Sequence, residues 1–98
     1  MPSSSQPIRS LESLREYVVT TLCDHDLLEL GAFPVTERIL IRNGKPCGIF
    51  FCLYGPRAVK LTAIWETERN SILFYSSTGE RFHKTQLAEI TEWEPALL

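Results

Sequence analysis

VTERILIRNGKPCGIFFCLYGPRAVKLTAIWETERNSILFYSSTGERFHK, residues 35–84, is the stretch whose reading decides the fold. Its apolar residues recur with period two in the runs Val35–Arg42, Cys47–Tyr54, Ala58–Thr67, Ser71–Ser76 and Arg81–Lys84. Successive side chains of a strand point to opposite faces, so this alternation is that of half-buried β-strands. Turn residues separate the runs: Asn43-Gly44, Gly55-Pro56-Arg57, Glu68-Arg69-Asn70 and Ser77-Thr78-Gly79. Links this short join only antiparallel neighbours. The stretch therefore predicts a five-stranded antiparallel β-meander.

The parity of each run predicts two faces. A three-residue loop at Arg42-Asn43-Gly44 groups Ile39 with Cys47 and Ile49. Similar loops at Gly55-Pro56-Arg57 and Glu68-Arg69-Asn70 set Leu53 across from Val59 and Trp65 across from Leu73. One face then reads Val35, Ile39, Ile41, Cys47, Ile49, Phe51, Leu53, Val59, Leu61, Ala63, Trp65, Leu73 and Tyr75. A face this apolar needs a cover, and the residues before it supply one. Ser10 is a natural N-cap, Glu12 suits the first turn, and Leu11, Leu14, Val18 and Leu22 form the stripe of an amphipathic helix. The stripe loses phase at Cys23-Asp24-His25-Asp26, leaving open a second short turn before Gly31 and Pro34. Residues 1–9, rich in serine and proline, are expected to be a disordered lead; residues 10–98 are expected to form a single α+β domain. The fold class is α+β: an N-terminal helix on the meander, closed by a short C-terminal helix or extended lid.

The opposite face reads Arg38, Leu40, Arg42, Phe50, Cys52, Tyr54, Lys60, Thr62, Ile64, Ile72, Phe74 and Phe82, with Lys84 at its edge. A solvated sheet face is mostly polar, whereas this one mixes aromatics and aliphatics with cations. Several arrangements suit it: residues 86–98 fold across it, with Leu87, Ile90, Trp93 and Leu97 as anchors; the sheet curls strongly; a second copy of the chain pairs with it; or it is a recognition surface. The leading function is a small non-enzymatic interaction module that binds a protein partner or itself through Arg38, Arg42, Phe50, Tyr54, Lys60, Phe74 and Phe82. The alternative is single-stranded nucleic-acid binding, in which the aromatics stack on bases and the cations track phosphates. A third is a ligand or enzymatic pocket between helix and sheet, near Cys47, Trp65 and His83.

Charge segregates along the chain although the net value is −2. Residues 1–34 carry two basic and five acidic side chains, residues 35–85 eight and four, and residues 86–98 three acidic ones alone. The basic middle either meets an anionic partner or is neutralised by the chain's own ends.

The remaining chemistry is sparse. Arg57, at the tip of the Gly55-Pro56-Arg57 loop, and Lys60 make the candidate pair for clamping an anionic ligand. Cys23 and His25 are two apart and Cys47 and Cys52 five apart, so neither pair has the spacing of a structural zinc site. Cys47 and His83 reach one another only if the sheet closes. No catalytic residue, metal or cofactor is expected. At 98 residues, 44% hydrophobic and 22% charged, the composition is that of one globular domain. No apolar run approaches the roughly 20 residues of a membrane helix, and the N-terminus lacks a signal-peptide pattern. Three irregularly spaced cysteines argue against a cystine scaffold, so a cytoplasmic protein is expected.

Overall fold

The computed structural model describes residues 4–6 and 10–87. The elements run β1 (Ser4–Gln6), α1 (Leu11–His25), β2 (Val35–Arg42), β3 (Lys45–Tyr54), β4 (Lys60–Glu66), β5 (Ser71–Tyr75) and β6 (Arg81–Leu87). The sheet order is β1-β6-β5-β4-β3-β2. From β2 to β6 every neighbour is antiparallel, so the expected helix on a five-stranded meander is present. The expected C-terminal helix or lid falls mostly outside the described residues. Its first two residues, Gln86 and Leu87, complete β6. Ser4–Gln6, in the lead that carried no expected element, runs parallel to β6 over Thr85–Leu87.

Helix α1 is a single piece. Ser10 caps it by accepting from the Ser13 amide at 3.1 Å. It stops after His25 in a Schellman turn: Leu28 donates to the Cys23 carbonyl at 2.8 Å and Leu27, at φ 55°, to that of Asp24 at 3.3 Å. Its stripe of Leu14, Val18, Leu22 and Cys23 is buried against Ile49, Phe51, Leu53, Leu61, Ala63, Trp65, Ile72, Phe74 and Leu87. Burying one such aliphatic side chain contributes about 1.5–3 kcal/mol. Tyr17 adds a polar tie to the sheet, its hydroxyl 2.6 Å from the Oγ1 of buried Thr85.

Three loops differ from the expected register. Asn43-Gly44 is a two-residue turn with both residues at positive φ, 52° and 75°. It pairs Arg42 with Lys45 and Ile41 with Pro46, and a bulge at Cys47 then brings Ile39 opposite Ile49. The grouping of Ile39 with Ile49 holds, but Cys47 leaves the helix-covered face. The β3–β4 loop is two residues longer than expected and pairs Leu53 with Leu61. A shift of two preserves the faces.

The β4–β5 loop shifts by one. Glu66 pairs with Ser71, so Trp65 faces Ile72 and Ala63 faces Phe74. The turn closes where the Asn70 amide donates to the Thr67 carbonyl at 3.3 Å, which leaves Glu68-Arg69 as a loop one residue shorter than expected. The Thr67 amide and hydroxyl both donate to the Cys47 carbonyl of β3, each at 3.0 Å. A one-residue slip exchanges the faces of a strand. Ile72 and Phe74 therefore lie beneath the helix, and Leu73 and Tyr75 lie on the outer face.

Candidate functional site

The outer face is built in rows by the register. Arg38, Phe50, Ile64, Leu73 and Lys84 lie side by side across β2 to β6. Phe50, Ile64 and Leu73 are half-buried, and a cation ends the row at each side. A second row runs Thr36, Cys52, Thr62, Tyr75 and Arg81. Beyond it Tyr54 pairs with Lys60, whose ammonium lies 5.7 Å from the Tyr54 ring centroid. Tyr54 is 38% exposed, with the Lys60 cation over one face of its ring.

The bulge at Cys47 opens a depression of ≈ 440 Å³ at one end of this face. Leu40, Cys47 and Ile64 give it an apolar lining, and Arg42 and Arg69 face Glu66 and Glu68 around it. Arg42 reaches Glu68 at 3.6 Å, both side chains being exposed. In water such a contact leaves either group free to re-pair with an incoming charge.

Of the seven residues expected to bind a partner, Arg38, Arg42, Phe50, Tyr54 and Lys60 lie on the outer face. Phe74 and Phe82 do not. Phe74 is fully buried, its ring edge-on to Tyr17 at 6.1 Å, because the slip in β5 turns it inward. Phe82 is the extra residue of a second bulge, between the Phe74–His83 and Tyr75–Arg81 pairs. The bulge turns its ring under the end of α1, where it stacks on His25 at 3.7 Å and 11°. Tyr75, expected beneath the helix, takes an outer-face position that the alternation alone did not assign it.

Arg57 is exposed at φ 55° in the turn Pro56–Ala58, while Lys60 opens β4 beside Tyr54. The third constellation is not assembled. Trp65 is in the core, Cys47 lines the outer depression, and His83 lies on the helix side beside Phe74, ring centroids 5.5 Å apart. His83 instead joins Thr21, Asp24, His25 and Phe82 around a shallow hollow of ≈ 400 Å³ at the C-terminal end of α1. His83 takes its helix-side place from its regular pairing with Phe74, and the bulge at Phe82 brings that ring onto His25. Burial and the neighbouring Asp24 carboxylate raise the Cys23 thiol pKa, which leaves it protonated and a poor nucleophile.

Among the described residues no group of three or more His, Cys, Asp or Glu side chains is placed to hold a metal ion, and no helix is long and apolar enough to cross a membrane. Comparison of the chain with protein-family models, with curated proteins and with solved structures found no match.

Proposed function

We propose that the chain is a non-enzymatic interaction module whose outer sheet face binds a protein partner carrying apolar side chains flanked by carboxylates. The observation that carries this reading is the row Arg38–Phe50–Ile64–Leu73–Lys84, apolar at its centre and cationic at both ends. An interface with an apolar centre gains affinity from desolvation there, and charges at its rim choose the partner and speed encounter. The depression beside Cys47 is a receptacle for one anchoring side chain.

Single-stranded nucleic acid is the second ligand class that aromatics with cations suit. Here the register leaves Phe50, Tyr54 and Tyr75 as its stacking surfaces, against Arg38, Lys60 and Lys84.

Affinity capture from native extract, with and without nuclease, separates the two. Comparison with a Phe50→Asp chain ties whatever is retained to this face. A protein retained after nuclease by the wild-type chain and lost from Phe50→Asp is the expected result. Retention that vanishes with nuclease and falls steeply with salt would transfer the face to nucleic acid. Equal retention by both chains would remove the function from this face.

A further inference from the structure

We infer that the chain pairs with a second copy of itself along the open edge of β2, in an antiparallel register centred on Ile39. This surface is the lateral edge of the sheet, separate from the outer face, and the inference stands apart from the function proposed above.

Among the described residues nothing pairs with the far side of β2. Its hydrogen-bonding phase is set where it begins, because Tyr54 donates to the Pro34 carbonyl at 2.9 Å. Pairs in an antiparallel ladder alternate, so Thr36, Arg38 and Leu40 turn their backbone groups toward β3. The amides and carbonyls of Val35, Glu37, Ile39 and Ile41 therefore point outward. The strand is eight residues long, contains no proline, and its neighbouring bulge lies in β3. Natural edge strands are usually blunted by proline, by their own bulges or by charges turned toward the core. Here Glu37, on the helix side, is already held by Arg15 at 2.7 Å.

Charge selects the register. Two-fold pairing sets residues of the same face opposite each other. Centring on Glu37 or on Arg38 sets a like charge against itself, and centring on Leu40 sets Arg38 against Arg42. Centring on Ile41 moves the overlap into the Asn43-Gly44 turn. Centring on Ile39 sets Ile39 against its own copy, Arg38 against Leu40, Thr36 against Arg42 and Glu37 against Ile41, with no like charges directly opposed.

Shape agrees with this choice. Ile41 is 52% exposed, the largest apolar group standing free on this strand. Between α1 and β2 runs a groove of ≈ 410 Å³ lined by Val19, Leu30, Val35 and the stems of Arg15 and Glu37. Leu30 there is 60% exposed. In the Ile39-centred register, Ile41 of each chain arrives opposite Glu37 of the other, at the mouth of this groove. One molecule thus supplies both a projecting side chain and the apolar recess that receives it.

The test is sedimentation equilibrium of the full chain across the micromolar range, with Ile39→Lys and Ile39→Glu as variants. Wild type is expected to approach twice its 11.2 kDa mass with rising concentration. Each variant alone sets like charges on the two-fold axis, and its dimer dissociation constant is expected to rise at least about 100-fold. An equimolar mixture of the two is expected to recover the dimer, an outcome that misfolding of either variant would not produce. Hydrogen exchange on the wild type gives an independent readout. The Ile39 and Ile41 amides are expected to slow with concentration, while those of Arg38 and Leu40, already bonded to β3, are not. A wild-type chain that stays monomeric, a dimer unaffected by either variant, or exchange at Ile39 independent of concentration would overturn the inference.

Discussion

Leu27 ends α1 in the left-handed region, at φ 55°, and is 92% exposed. A β-carbon in that conformation costs about 1 kcal/mol, and no contact in the core offsets it. Leu27→Gly is accordingly expected to stabilise the fold by about 1 kcal/mol, less the added flexibility of the unfolded chain, read as a rise in the urea midpoint at constant slope. The sequence marked this region without fixing the stop. The stripe lost phase at Cys23-Asp24-His25-Asp26, and Gly31, which has a positive φ, was the more obvious stop. The decisive interaction is the bond from the Leu28 amide to the Cys23 carbonyl, made possible because Leu28 packs against the core.

At the scale of elements, two bulges and one loop account for what alternation left unread. In Ser71–Tyr75, the sequence SILFY is apolar at both parities, so no pattern chose between burying Ile72 and Phe74 or Leu73 and Tyr75. The choice came from the turn, where the Asn70 amide donates to the Thr67 carbonyl and shortens the loop by one residue, while the Thr67 amide and hydroxyl hold it to the Cys47 carbonyl. Cys47 is therefore both the bulge of β3 and the anchor of the next loop. Immediately after it, β3 lies so close to β4 that a β-carbon at Gly48 would collide with the Trp65 carbonyl oxygen. Gly48→Ala is expected to cost about 3 kcal/mol, seen as a lowered melting temperature with β3–β4 amides exchanging faster. The helix, the strand order of the meander and five of the seven outer-face residues were legible, because they depend on periodicity and turn residues. Phe74 and Phe82 were misplaced because bulges and loop lengths depend on contacts between distant segments.

At the scale of the whole molecule, Cys23 couples the core to pH. Cys23 is buried in the core beside Asp24, and its pKa is raised above the ordinary value of 9.0. The native state thus keeps a proton that the unfolded chain releases in alkali. Its contribution to stability is complete below pH 9 and is lost as pH rises toward the native value. Melting temperatures measured at pH 8 and pH 10 are expected to fall further for wild type than for Cys23→Ala. An equal fall in both would assign the alkaline slope to other groups.

The two lateral sides of the sheet are unlike one another. β2 bounds one side along eight residues, and β1 occupies Thr85–Leu87 on the other, next to the cations Lys84 and Arg81. A sheet joinable on both flanks is the repeating unit of a filament, whereas one joinable on a single flank forms a pair and stops. Ser4–Gln6 make that flank three residues long, against eight on the β2 flank, so among the described residues the two sides offer edges of very different length.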